Sequence, residues 1–312
     1  MNRKILLAVD GSVQSFNALR YVDQLFTDLP EIYLHLLTIV PCGEMPVGQE
    51  WLGEEELRNC VSPGTRKRQA TAHRFMEEAV LQLGRRGVAP EQVSTAIQLS
   101  RCGVAEDIYH EARQGKYDAV LTGRRGVGKL EEFFAGSSIS AAMMAKCYEI
   151  PVWIVEGKVI NARNFLVPVD RSFNCLKATD HLAFILKDNP YAEITLFHLA
   201  PILGSGGVPD WPDLYARWGE EWCREHLGRD DSLFHGPSQS LLDGGFPGER
   251  IHRAPHRSGL NAPSQIIQQS LLAEAGTIVI GRRAKDSSKG FFKGVSVQVV
   301  ELAKEMAVWV VG

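Results

Sequence analysis

The feature that most constrains this chain is an internal repeat. Lys4-Ile5-Leu6-Leu7-Ala8-Val9-Asp10-Gly11-Ser12 returns 160 residues later as Asn164-Phe165-Leu166-Val167-Pro168-Val169-Asp170-Arg171-Ser172. Each copy is an apolar run closed by an Asp, with a Ser two residues on. The run 33–41, YLHLLTIVP, matches 194–201, ITLFHLAP; 119–126, AVLTGRRG, matches 277–284, TIVIGRRA; and Val152-Trp153-Ile154-Val155 matches Val308-Trp309-Val310-Val311. Four blocks in one order imply duplication of a domain of about 155 residues, with domains at 1–158 and 159–312 joined through 156–164. That is two copies of one fold rather than a solenoid.

A length of 312 residues suits two domains, and 45% apolar with 23% charged residues is a globular balance. Thirty-four Lys and Arg against thirty-seven Asp and Glu leave a net charge of -3, without the basic excess that sequence-independent nucleic-acid binding demands. No run of 18 apolar residues occurs, and the N-terminal apolar run is too short for a signal peptide. A soluble, cytoplasmic protein is expected. The six cysteines form no C-x-x-C pair, so they read as reduced packing residues.

Within each copy, short β-branched runs alternate with segments of helical period. In copy one, strands are expected near 4–10, 31–39, 92–100, 117–122 and 151–156. Helices are expected after Ser12, over 71–83 and over 105–112. The fold class is α/β: two tandem copies of an open, doubly wound five-stranded parallel sheet, Rossmann-like, whose ligand crevice lies at the carboxyl ends of the strands. The Pro- and Gly-rich patches 41–53 and 204–212 read as surface loops.

The strongest chemical signal is Gly123-Arg124-Arg125-Gly126, nine further residues, then Gly136-Ser137-Ser138. It follows a strand and opens a helix. Glycines admit close ligand approach, and free N–H groups at a helix start form an anion nest reinforced by the helix dipole. A phosphate chain fits between Gly126 and the Gly136–Ser138 turn, with hydroxyl donors from Ser137 and Ser138.

Through this motif the chain resembles the universal stress protein family in its tandem two-domain form. The family's nucleotide-binding copies carry G-x2-G-x9-G-[ST], and Gly123, Gly126, Gly136 and Ser137 fill every fixed position. The resemblance implies an Asp near the ribose or adenine, here Asp10, and a strand-two residue beside the adenine, here Ile39. It departs at Ile139, where family members usually carry a small or hydroxyl residue. In copy two the second glycine is Ala284 and the hydroxyl position is Val295, where a Cβ and an isopropyl group fill phosphate space. One competent site in copy one and one degenerate site in copy two are expected, the degenerate half packing as a second subunit does in a symmetric dimer.

Rival readings attach to the same residues. Gly123-x4-Gly128-Lys129 is one residue from a P-loop, but Leu130 stands where the magnesium-binding hydroxyl belongs and copy two has no equivalent. Asp10 and Asp170 also suit plain turn-capping roles. Arg124-Arg125 and Arg282-Arg283 read as phosphate contacts or as solvent-facing loop residues, and Arg101 is a weaker candidate. His252-x3-His256 contains Pro255 and lacks further ligands, so zinc is not expected. His35 and His198 read as packing residues. Ser137 lacks a G-x-S-x-G elbow and so is no hydrolase nucleophile.

The expectation is therefore a stress-response protein that binds ATP, with AMP as the alternative ligand and Mg or Mn on the phosphates. Its role is regulatory rather than enzymatic, and any ATPase activity is slow. Partners are the adenine nucleotide and a protein, with no nucleic acid or membrane; the two copies form a pseudo-dimer, with further pairing of chains open. The alternative is an interaction scaffold with a vestigial site.

Overall fold

The computed structural model describes residues 3–26, 31–41, 62–124, 139–201, 211–228, 231–255, 257–282 and 294–312. The chain forms two compact units, Met1–Gly157 and Lys158–Gly312. Both are α/β, built on a parallel sheet.

The first unit runs β1 (Arg3–Ala8), α1 (Val13–Phe26), β2 (Ile32–Val40), α2 (Pro63–Arg85), β3 (Val93–Leu99), α3 (Val104–Gln114), β4 (Ala119–Gly123), α4 (Ile139–Lys146) and β5 (Val152–Val155). Its strands pair in the order β3-β2-β1-β4-β5, all parallel. Because the chain steps outward from β1 to β2 and β3, then returns to add β4 on the other flank, the topological switch point falls between β1 and β4. That is where open α/β sheets place ligands. Ile5, Leu6, Leu7, Val120 and Leu121 have no exposed surface, as expected of strands covered by helices on both faces.

The helices have readable starts. Ser62 caps α2 by accepting from Thr65 N–H at 3.2 Å, with Pro63 at the first helical position. The apolar periodicity over 71–83 therefore marks only the inner part of a 23-residue helix, since its first turns are polar. The Asp107 carboxylate accepts from Ser100 Oγ (2.8 Å), Arg101 N–H (2.9 Å) and Cys102 N–H (3.1 Å), which fastens the end of β3 to α3.

The second unit repeats the plan with β6 (Asn164–Pro168), α5 (Phe173–Leu186), β7 (Glu193–Phe197), β8 (Leu199–Pro201), α6 (Trp211–Trp218), α7 (Glu220–Leu227), α8 (Ser232–Asp243), β9 (Ile251–Arg253), β10 (Arg257–Gly259), α9 (Ala262–Leu272), β11 (Thr277–Gly281), α10 (Val295–Leu302) and β12 (Ala307–Val311). Its order, β9-β7-β6-β11-β12, is that of the first unit and again parallel. Trp153 and Trp309 occupy matching positions on the last strands, and both are fully buried.

Two differences separate the copies. Ala254 N–H donates to Leu196 O and Arg257 N–H to His198 O, so the outer strand carries one residue more than its neighbour over this stretch. This is a bulge, the setting in which Pro255 is tolerated, and β10 resumes pairing with β8 beyond it. Secondly, the single helix α2 has three shorter counterparts. Gly219 sits between α6 and α7 with φ +83°, a left-handed value that favours glycine. Trp211 and Pro212, expected in a loop, begin α6. No described helix is long and apolar enough to cross a membrane.

Candidate functional site

Asp10 stands just beyond the end of β1. Its Oδ1 accepts from Ser12 N–H at 3.0 Å and from Ser15 Oγ at 2.8 Å, and Ser15 Oγ in turn accepts from Asp10 N–H at 2.9 Å. This Asx-type turn fixes an exposed carboxylate at the mouth of the sheet. The adjoining Gly11 takes φ +75°. Ser12 also caps α1 through Ser15 N–H at 3.3 Å, so one short segment both starts the helix and orients the carboxylate.

Gly123 closes the other side of the switch point. β4 lies beside β1, with Thr122 opposite Ala8, so Asp10 and Gly123 stand at the carboxyl ends of adjacent strands, on either side of the switch point. A Cβ on Gly123 would stand 2.6 Å from the Gln14 carbonyl oxygen in the first turn of α1. Gly281 meets Asn174 in the same way, and more closely. The first motif glycine thus has a packing role in both copies, and its retention in copy two needs no ligand.

Arg124 follows, and its N–H donates to Val155 O at 2.8 Å. That amide extends the β4–β5 ladder and is not a donor for a phosphate nest; what Arg124 has to aim at a ligand is its guanidinium. Arg282 repeats the bond to Val311 O at 2.6 Å. Ile39 lies two residues beyond Leu37, the last β2 residue paired to β1, and its side chain is 6% exposed. Neighbouring Thr38 donates through Oγ1 to Val9 O at 2.8 Å. Gly126, Gly136, Ser137 and Ser138 lie outside the described residues, as do Arg125, Gly128, Lys129 and Leu130.

In the second unit Asp170 keeps the turn and its Ser N–H partner, with the hydroxyl now supplied by Ser172 rather than by a residue at the position of Ser15. Its Oδ1 accepts from Ser172 N–H at 2.9 Å and Ser172 Oγ at 2.5 Å. Cys175 stands where Ser15 does; burial pushes its thiol pKa upward, and the Asp170 charge adds to that. Asp170, Arg171, Leu176, Leu227, Ser232 and Pro237 line a hollow of about 270 Å3, open solvent included, with room for about one water molecule. Ser232 Oγ is buried there without a hydrogen-bond partner among the described residues.

The histidines divide. His198 Nδ1 lies 2.9 Å from Val169 O, repeating the Thr38 bond with a different side chain. His35 Nδ1 bonds Ser94 Oγ at 2.7 Å, whereas its buried Nε2 meets no partner among the described residues, and burial lowers its pKa. It is therefore only half satisfied as a packing residue. Among the described residues there is no cluster of three or more His, Cys, Asp or Glu able to hold a metal; His256, half of the 252–256 pair, lies outside them. Cys147, Cys175 and Cys223 are buried, while Cys102 is exposed. Ser15 and Gln14 escaped the sequence reading because their importance is a matter of contact; the D-x-S spacing shared by both copies was the available signal.

A strand-end Asp and the first glycine of a G-x2-G-x9-G-S motif, set on adjacent strands at the switch point of a parallel sheet, define an α/β protein of the kind that places ligands at the carboxyl ends of its strands. The family model described as Universal stress protein family matches residues 1–156, and the chain belongs to that family. A universal stress protein from Archaeoglobus fulgidus DSM 4304 is similar over 99% of this chain and 95% of its own, with TM-score 0.63 and 18% identity. A functionally unknown protein from Pseudomonas aeruginosa PAO1 is similar over 99% and 92%, with TM-score 0.52 and 15% identity. At these identities the likeness concerns the fold. No curated protein matches the sequence.

Proposed function

We propose that this universal stress protein binds an adenine nucleotide, ATP in the first instance and AMP as the smaller alternative, in the first unit, and acts in the stress response as a regulator rather than an enzyme. The observation that carries the reading is the placement of Asp10 and Gly123 on either side of the β1–β4 switch point, with the rest of G-x2-G-x9-G-S following in sequence. Asp10, held by Ser12 and Ser15, is the acceptor for ribose or adenine donors. A base beside the buried Ile39 meets backbone more than side chain. Gly126, Gly136, Ser137 and Ser138 are assigned to the phosphates, with the Arg124 guanidinium as a further donor. A divalent cation, Mg or Mn, enters through the nucleotide's own oxygens.

The second unit is assigned no triphosphate. Ala284 and Val295 replace the motif's glycine and hydroxyl, and the hollow described beside Asp170 has room for about one water. The same substitutions in the second copy also favour the second reading, an interaction scaffold with a vestigial nucleotide site and the pseudo-dimer itself as the working part.

The test is direct. Purified chain is denatured, and released nucleotide is identified by absorbance and chromatography. ATP at 100 times its dissociation constant stabilises a one-site protein by about 2.7 kcal/mol. Nucleotide release, or a thermal shift of that size, supports binding; neither release nor shift at millimolar ATP leaves the scaffold reading.

A further inference from the structure

The second unit holds two imidazoles in direct contact, and the nucleotide reading uses neither. His226 on α7 and His235 on α8 meet across the break between the two helices, with Nδ1 and Nε2 3.0 Å apart and ring centroids at 5.2 Å. A hydrogen bond between imidazole nitrogens needs one ring as acceptor, so at least one ring is neutral. The His226 side chain is 13% exposed, and its Nε2 lies 3.8 Å from Glu225 Oε2. A second proton removes the acceptor and sets two cations at hydrogen-bond distance with little water between them.

The pair sits at the root of an aromatic cap. The Trp222 ring lies 4.9 Å from His226 and stacks on Trp218 at 6.1 Å; Trp218 meets Phe173 edge-on at 5.5 Å. With Trp211 and Tyr215 they surround the buried Leu176, Leu214 and Cys223. Trp222 Nε1 donates to Asp243 Oδ2 at 2.7 Å, and Arg217 pairs with Asp180 across α6 and α5 at 2.5 Å. Both ties end on carboxylates, whereas the α7–α8 contact is made by two imidazoles, the side chain whose ordinary titration lies nearest neutral pH.

The charged surroundings are Glu225, Glu221 and Arg224 on α7, Asp231 and Asp243 at the two ends of α8, and Asp170, Lys177, Asp180 and His181 on or before α5. Asp213 and Arg217 lie on α6, His198 follows β7, and Arg253 on β9 packs over Phe234 at 5.4 Å. His181 is mostly buried, and desolvation lowers its pKa.

We propose that His226 and His235 form an acid-sensitive latch: protonation of both rings releases α7 from α8 and loosens the aromatic cap over Leu176. The second unit then senses protons whether or not the first unit binds a nucleotide.

The experiment follows hydrogen exchange by mass spectrometry on the full chain between pH 8 and 4.5, corrected for intrinsic rates, together with tryptophan emission. The latch predicts a reversible loss of protection of about tenfold or more in peptides covering 220–235, while peptides covering 3–26 and 193–197 stay protected. His235→Gln and His226→Gln, which keep a polar partner without an imidazole titration, each abolish the acid step. Trp222→Phe removes the emission change and leaves the exchange change. His181→Leu leaves both. An acid step unchanged in the glutamine variants, protection in 220–235 that is equal at both pH values, or a loss in 220–235 no greater than that in 193–197 overturns the proposal. Nucleotide release bears on the first unit alone, so the two readings fail separately.

Discussion

Gly123 lies against Gln14 so tightly that a methyl group on its α-carbon would press into a carbonyl oxygen 2.6 Å away. The partner atom is backbone at the start of α1, which moves only with the helix. Gly123→Ala is therefore expected to cost roughly 1–3 kcal/mol of folding stability, and Gly281→Ala a similar amount through Asn174, in urea unfolding without nucleotide. A neutral effect at both positions would return the first motif glycine to a purely ligand-facing role.

Asp10 and Asp170 separate structure from binding. Each anchors a turn through a Ser N–H, so alanine at either is expected to cost about 1 kcal/mol, the usual cost of a lost capping interaction. Only Asp10→Ala should also lower nucleotide affinity. Equilibrium titration of both variants, corrected for their stabilities, checks this; equal loss of affinity at both would place a working site in the second unit.

Much of this architecture was legible in the chain. The strand expected at 31–39 is found at Ile32–Val40 and that at 92–100 at Val93–Leu99, because buried parallel strands announce themselves as β-branched runs. The repeat was equally visible, and the fold keeps it down to Thr38 and His198, which reach the carbonyls of Val9 and Val169 from matching positions. What sequence hid was contact. The Ser62–Pro63 start of α2 lies outside the apolar period, the breaking of its counterpart into α6, α7 and α8 follows from packing on α5, and the His226–His235 pair joins residues from two helices. The packing of Gly123 against Gln14 was hidden as well, because spacing cannot show a neighbouring helix.

Acid should weaken the second unit through His181. Burial holds this imidazole at about 3, against an ordinary value near 6.5. Below pH 6.5 the unfolded chain takes up a proton that the folded chain refuses, so stability is lost as pH falls toward 3, by at most about 1.4 kcal/mol per pH unit. His181→Leu, set against Trp309, flattens that slope in denaturant titrations from pH 7 to 4.5. An unchanged slope would assign acid sensitivity elsewhere.

Alkali acts through Cys175. Its thiol is raised well above its ordinary value near 9.0, chiefly by burial. Stability from this group is complete below pH 9 and declines above it, as the unfolded chain loses a proton that the folded chain keeps. Cys175→Ser, the residue at the matching position 15, reduces the decline measured between pH 9 and 10.5; an identical decline would contradict the assignment.

The central claim is one nucleotide site per chain, in the first unit. Calorimetric titration of the full chain with ATP and magnesium measures it most directly. The expected result is one equivalent bound, weakened about tenfold or more by Ser137→Ala and by Gly126→Ala, and unchanged by Lys129→Ala and Val295→Ala. Two equivalents per chain, or full affinity in the Ser137 and Gly126 variants, would contradict the account.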